Sequence, residues 1–455
     1  MLLKLNKAYF IVTGLLYLIF LFFIPPGSKF IPIYCLNILT YVVYFVLLTD
    51  ALSKWTGFYS EENLLMRVFI YSFLVVTVYN YISYSYNNNF YVFSVADAVT
   101  YYQKGSEMAS MPFTKSINFF LSFRGIDDLG MPLLSSMLYK ICDSILFLNL
   151  FNIIFGIISS FCIYRISSHF MRNQYAFLCS FAYSISSFVL WFHSSGLKES
   201  FMCMIIVLFY DRFYLYLKEK HIAQLAYASI LLISLLLFRP AIIFFCLGSI
   251  ILSFILQKRK GMKSILAVIM IFILFISLYP FLTPIYDKIL RGGNYSQIIE
   301  GQESEGMVKG SLQFTFLVNL LAQLIGPLPT ISPDTRTLLS FYFPGLIYKV
   351  LLSIFFWYGI FYLFKKKADL LYPLAFFAIF EMASLLLILE GLELRKSLPH
   401  FFVIYIIAFW FMDQYQSPDN FKNEKIRWVI RSSFYLFSGV SFFLILVWNL
   451  RNSIS

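Results

Sequence analysis

Ser144-Ile-Leu-Phe-Leu-Asn-Leu-Phe-Asn-Ile-Ile-Phe-Gly-Ile-Ile-Ser-Ser-Phe-Cys-Ile-Tyr164 runs without one charged side chain and is closed by Arg165. An α-helix of this length, rising about 1.5 Å per residue, crosses a hydrocarbon core about 30 Å thick. It is a continuous apolar block, not the short alternation of a membrane β-strand, and in lipid only a helix satisfies its own backbone. Comparable runs recur at 8–24, 30–49, 68–84, 175–192, 201–217, 222–237, 241–256, 265–283, 345–364, 370–389, 399–412 and 430–450. The composition agrees: 60% hydrophobic, 20% aromatic, 13% charged, with mean hydropathy +0.77. The expected fold is all-α, a polytopic transmembrane helical bundle of about 13 spans, with 1–455 as one integral membrane domain.

Orientation follows from the cations. Lys4, Lys7, Lys54, Arg67, Arg165, Arg172, Lys218, Lys220, Lys258 to Lys260, Lys365 to Lys367, Lys422, Lys425 and Arg427 fall on one side if the spans alternate. That side is expected to be cytoplasmic, with the N-terminus there and the chain in the inner (cytoplasmic) membrane. The net charge of +12 is then a topology signal, and no nucleic-acid partner is expected. Pro25-Pro26 follow the first apolar run where a signal peptide would have small residues, so that run reads as a retained helix. The six cysteines, at or inside the runs, read as apolar packing residues.

Two polar stretches interrupt the pattern on the opposite, extracytoplasmic side: 86–143 and 284–344. Both are expected to carry amphipathic juxtamembrane helices. In the first, Asp97 to Met108 has helical spacing with Ser94 as a capping start, and Met131 to Ile141 reads as a second surface helix. In the second, Arg291 to Gly310 reads as a mobile loop that would serve as a lid. Ser311 to Ile331, broken at Gly326-Pro327-Leu-Pro329, reads as a re-entrant or interfacial helix, with a membrane crossing as the alternative.

An enzyme that moves a group off a lipid carrier needs a carboxylate for the acceptor hydroxyl and cations for the departing phosphate. Asp97 fits the first role, and equally fits a helix-capping acid. Lys198, Arg239, Arg395 and Lys396 fit the second. Lys198-Glu199 at a helix start is either a site or an interfacial salt bridge. His400 would shuttle protons, bind phosphate or pack by hydrogen bonding, and Glu381 is expected to be neutralised or paired within the bundle. Nucleotide-binding glycine loops, zinc spacings and kinase or hydrolase signatures are missing from the sequence, so no cofactor is called for, while a divalent metal stays open.

Asp97-Ala-Val-Thr-Tyr101-Tyr102, Leu129-Gly130-Met-Pro132-Leu-Leu, Asn149-Leu-Phe-Asn152-Ile-Ile-Phe-Gly156, Tyr164-Arg165 and Ser195-Gly-Leu-Lys198-Glu199-Ser200 come in order along the chain. Together they resemble the GT-C superfamily of membrane glycosyltransferases, with a weaker echo in Leu394-Arg395-Lys-Ser-Leu-Pro399. The resemblance implies transfer from a polyprenyl-linked sugar donor to a glycan or lipid acceptor on the outer membrane face, with membrane lipid and envelope polysaccharide assembly proteins as partners. It also implies a catalytic acid at Asp97. Ala98 stands where many members carry a second acid, so Asp127 or Asp128 would supply it, with Tyr101 and Tyr102 beside the substrate. Two other functions fit the same residues. One is a repeat-unit polymerase or ligase that relies on Arg and His; the other is a transporter of polysaccharide or lipid-linked substrate.

Overall fold

The computed structural model describes residues 1–21, 31–53, 59–88, 96–122, 125–256, 312–331, 338–388, 390, 392–417, 421 and 423–450. The described residues form helices and no strand. The expected span 265–283, the loop Arg291 to Gly310 and the cap Ser94 lie outside them.

In chain order the helices are α1 (Leu2–Leu21), α2 (Ile31–Ser53), α3 (Glu61–Asn87), α4 (Ala96–Ala109), α5 (Phe113–Leu121), α6 (Gly130–Tyr139), α7 (Ile145–Ser168), α8 (Asn173–Ser184) and α9 (Ser187–Ser194). There follow α10 (Glu199–Glu219), α11 (Ile222–Ser234), α12 (Ala241–Leu256), α13 (Leu312–Ile325), α14 (Leu338–Lys366), α15 (Tyr372–Leu387), α16 (Leu394–Gln416) and α17 (Glu424–Leu450). Single 3₁₀ turns occur at Ile126–Asp128, Leu235–Leu237 and Asp369–Leu371.

Nine of the described helical stretches are long and apolar enough to cross a membrane: α1, α2, α3, α7, α10, α14, α15 together with the 3₁₀ turn before it (Asp369–Leu387), α16 and α17. The pair α8 and α9, bent by 49°, makes a tenth crossing if counted as one span. The expected figure of about 13 is therefore not reached by the described residues. The runs 222–237 and 241–256 form helices, but a 16-residue helix such as α12 is only about 24 Å long. The described part of α13 has 14 residues, fewer than a span needs.

Helix starts follow local chemistry. The Ser60 hydroxyl accepts from the Asn63 N–H, and Glu61 and Glu62 lie in the first turn of α3, where the dipole favours acids. At α7 the Ser144 hydroxyl accepts from the Leu146 N–H at 3.2 Å. Large apolar side chains such as Leu436 on α17 and Leu18 on α1 stay exposed on the surface of the chain, as lipid-facing positions do. By contrast α16 is buried on all sides from Phe401 to Met412, the signature of a helix in the interior of a bundle.

The chain divides into two compact units. The first comprises 1–238, 328–359 and 404–455; the second comprises 239–327 and 360–403.

Within the first unit the break between α8 and α9 has a local cause. The Ala182 carbonyl, at the end of α8, accepts from the Tyr44 hydroxyl at 2.9 Å and the Ser186 hydroxyl at 2.6 Å. Ser187 Oγ donates to the Tyr342 carbonyl at 3.2 Å and accepts from the Gly345 N–H at 2.9 Å. Two side-chain hydroxyls thus bond a carbonyl that an unbroken helix would pair with a backbone N–H, and Ser187 ties the start of α9 to the backbone of α14, which is what a bend inside lipid requires. A Cβ at Gly345 would lie 2.9 Å from Ser187 N, so glycine is required for this approach.

Contacts near both ends of α7 bracket the course of α8 and α9 beside it. Asn149, in the first turns of α7, donates to the Ser194 carbonyl at the end of α9, while Arg172, just past the other end of α7, bonds Asp413 at 2.5 Å. Phe155 packs on Phe201, and Arg165 lies 3.4 Å from Asp211 ten residues further on in each helix, so α7 and α10 run parallel.

Helices α4, α5 and α6 form a cap at the Ile145 end of α7. Met108, Phe120 and Leu129 are its buried centre, packed by Ile117, Phe119, Ile126, Leu133 and Leu237. Each such side chain contributes about 1.5–3 kcal/mol on burial. Helices α4 and α6 approach closely at Gly105, where a Cβ would lie 2.8 Å from Ser135 Cβ. The surface helix expected from Asp97 to Met108 is present as α4, and that expected from Met131 to Ile141 as α6.

Candidate functional site

Asp97 stands in the first turn of α4 and is half-buried; Tyr101, one turn on, is 1% exposed. The 3₁₀ turn Ile126–Asp128 places Asp128 against it, and the Tyr101 hydroxyl donates to Asp128 Oδ1 at 2.9 Å. From the turn between α9 and α10, Lys198 reaches the same Asp128 oxygen and makes an ion pair. Its ammonium also donates to the Asp127 carbonyl at 3.3 Å and the Phe238 carbonyl at 2.9 Å. Glu199, fully buried at the start of α10, is close enough to Tyr101 to act on it electrostatically, as is Asp97.

Four residues expected from the sequence, Asp97, Asp128, Lys198 and Glu199, therefore gather around the phenol of a fifth, Tyr101. Burial above all, then the charges of Asp128, Glu199 and Asp97, push the Tyr101 hydroxyl pKa well up from its ordinary value. Tyr101 is thus a neutral donor at physiological pH.

The structure changes the roles of three expected residues. An ammonium has three N–H donors, and those of Lys198 are directed at Asp128 and two carbonyls, so its partners are protein groups rather than phosphate. Asp127 contributes its backbone carbonyl to this network, while its carboxylate folds back over Gly125. Tyr102 points elsewhere: its ring packs on Tyr139 at 5.2 Å and its hydroxyl pairs with Asp143.

The turn that carries Lys198 is held by a polar face of α7 that was not assigned a site role from sequence. Asn149 Nδ2 bonds both Asn80 Oδ1 and the Ser194 carbonyl at 3.1 Å; Asn152 Nδ2 bonds the His193 carbonyl at 3.3 Å. His193 Nδ1 lies 2.9 Å from Ser200 Oγ. The signal was legible: Asn149, Asn152 and Gly156 fall on one helical face of an otherwise apolar span.

The second unit holds the remaining expected residues. His400 Nδ1 is 3.3 Å from Glu381 Oε2, both buried, and the Arg239 charge acts on Glu381. Lys396 pairs with Glu390 at 2.5 Å and Glu393 at 3.0 Å, and Arg395 with Glu393 at 3.5 Å. Glu381, expected to be neutralised or paired inside the bundle, thus faces His400. Among the described residues no group of three or more His, Cys, Asp or Glu is placed to hold a metal ion.

Comparison with family models, curated proteins and solved structures finds no match to this chain.

Proposed function

We propose that the chain is a membrane glycosyltransferase that transfers a sugar or oligosaccharide from a polyprenyl-phosphate or polyprenyl-pyrophosphate donor to a glycan or lipid acceptor. The reaction is assigned to the outer face of the cytoplasmic membrane. The observation that carries this reading is Asp97, half-buried at the start of a surface helix, beside an assembly of buried Tyr101 and Lys198 with half-buried Asp128.

In this reading Asp97 takes the proton of the acceptor hydroxyl. The acceptor oxygen then bonds the anomeric carbon as the bond from that carbon to the phosphate oxygen breaks, and the phosphate leaves with the electron pair. Asp128 is held in place by Lys198 and Tyr101 and sets the negative field in which Asp97 works. The departing phosphate needs a cation to offset its charge, the role that the sequence suggests for Arg239, Arg395 and Lys396.

A polymerase or ligase reading draws on a different observation, the buried Glu381–His400 pair with Arg239 acting on it. The two are separated with purified full-length chain, a polyprenyl-phosphate hexose labelled in the sugar, and an acceptor glycan. Asp97→Asn is expected to lower bond formation by about 100-fold or more, while Arg239→Ala weakens it about tenfold. Full activity in Asp97→Asn with none in His400→Ala would replace this reading by the second. Movement of label across vesicles with no glycosidic bond formed would replace both by a transporter.

A further inference from the structure

The polar contacts inside the first unit converge on one short turn. Residues Ser194 to Lys198 connect α9 to α10, and Gly196 within them has φ +69°, the left-handed region that suits glycine. Three groups fix this turn from α7. Asn149 holds the Ser194 carbonyl and Asn152 the His193 carbonyl. Gly156, on the same face, receives the His193 ring so closely that a Cβ there would lie 2.3 Å from Nε2. The ring is then tied forward, across the turn, to Ser200 by its Nδ1. His193, Ser194, Ser195 and Ser200 are all at most 4% exposed, so these bonds form where water does not compete.

Lys198 is the output of this arrangement. Its side chain reaches Asp128, about 70 residues earlier in the sequence, only if the turn stands where the α7 face holds it. We propose that Gly156, His193 and Ser200 form a positioning device: the His193–Ser200 bond, seated in the notch at Gly156, sets the Ser195–Lys198 turn and thereby aims Lys198 at Asp128. His193 is a positioning residue in this scheme and touches no substrate. Its functional weight rests on the role proposed above for Asp128, but its structural content does not.

The test needs no turnover, so its failure is distinct from failure of the glycosyltransferase reading. Full-length chain in detergent is treated with an amine-reactive N-hydroxysuccinimide ester, and labelling of individual lysines is followed by mass spectrometry. Exposed Lys140 serves as the reactive reference and Lys349, 1% exposed within α14, as the sentinel for unfolding. His193→Leu and Ser200→Ala are expected to raise Lys198 labelling about tenfold or more while Lys349 stays protected. His193→Asn, whose amide nitrogen falls near the position of Nδ1, is expected to keep Lys198 close to wild type. Gly156→Ala is expected to expose Lys198, and Gly156→Ala combined with His193→Asn to protect it again, because the shorter side chain leaves room for the added methyl.

Unchanged Lys198 protection in both His193→Leu and Ser200→Ala would overturn the proposal, as would equal exposure in His193→Asn and His193→Leu. Should His193→Leu also expose Lys349, Ser200→Ala and the paired Gly156 variants decide the matter by the same criteria.

Discussion

Lys198 is the residue whose meaning changes most between sequence and structure. A lysine at the start of a membrane helix is costly unless it meets a partner, and that cost is what marks it in the sequence. Its partners, a carboxylate and two carbonyls, are set by contacts to residues about 40 and 70 positions away. No local pattern encodes such distances, so the charge was legible and its role was not. Replacing Lys198 by Met leaves Asp128 without its cation in a partly buried setting, and a loss of about 3 kcal/mol in unfolding free energy is expected. Lys198→Arg should recover only part of it, since a planar fork does not reproduce three converging donors. Denaturant unfolding in detergent would check both.

Tyr101 gives a pH prediction at the same scale. Its folded-state pKa is raised above the unfolded value, so its contribution to stability is complete below about pH 10 and declines as pH rises past that point. The difference in thermal midpoint between wild type and Tyr101→Phe is therefore expected to be constant through neutral pH and to shrink above pH 10. A difference that instead changed between pH 6 and 8 would contradict the assignment of Tyr101 as a neutral donor.

At the scale of elements, the long helices were legible because each is a continuous apolar block bounded by charge or proline. Their interruptions were less so. The run 175–192 reads as one span, yet it breaks after Ser184, where the Ala182 carbonyl accepts from the Tyr44 and Ser186 hydroxyls instead of a helical N–H. The surface helices of the cap were legible from spacing, whereas their close approach was not. Gly105 and Gly130 mark it: an added Cβ would lie 2.8 Å from Ser135 Cβ at the first, and 2.4 Å from the Phe238 ring at the second. Gly105→Val and Gly130→Val are each expected to destabilise the cap by about 1–3 kcal/mol. Hydrogen exchange should report this as faster opening of α4 and α6, with α16 unaffected.

For the whole molecule, the alternation of cationic turns along the sequence and the contacts within the first unit give the same order of helix ends. Asn149 meets Ser194 at one end of α7, and Arg172 meets Asp413 at the other. Which end faces the cytoplasm is an expectation from the positive charges. Cysteines introduced at Ser122 and at Arg172 in a chain free of its own cysteines are expected to react with a membrane-impermeant maleimide from opposite sides. Ser122 should react from outside the cell, and reaction of both from one side would contradict the topology.

The account stands most directly on the carboxylates gathered around Tyr101. The decisive measurement is formation of a glycosidic bond from a polyprenyl-phosphate hexose labelled in the sugar, by full-length wild type and by Asp97→Asn and Asp128→Asn chains reconstituted in lipid. The account predicts labelled glycan product from wild type, loss of about 100-fold or more in Asp97→Asn, and a fall of about tenfold or more in Asp128→Asn with donor binding retained. Product formed at the wild-type rate by both variants would contradict it.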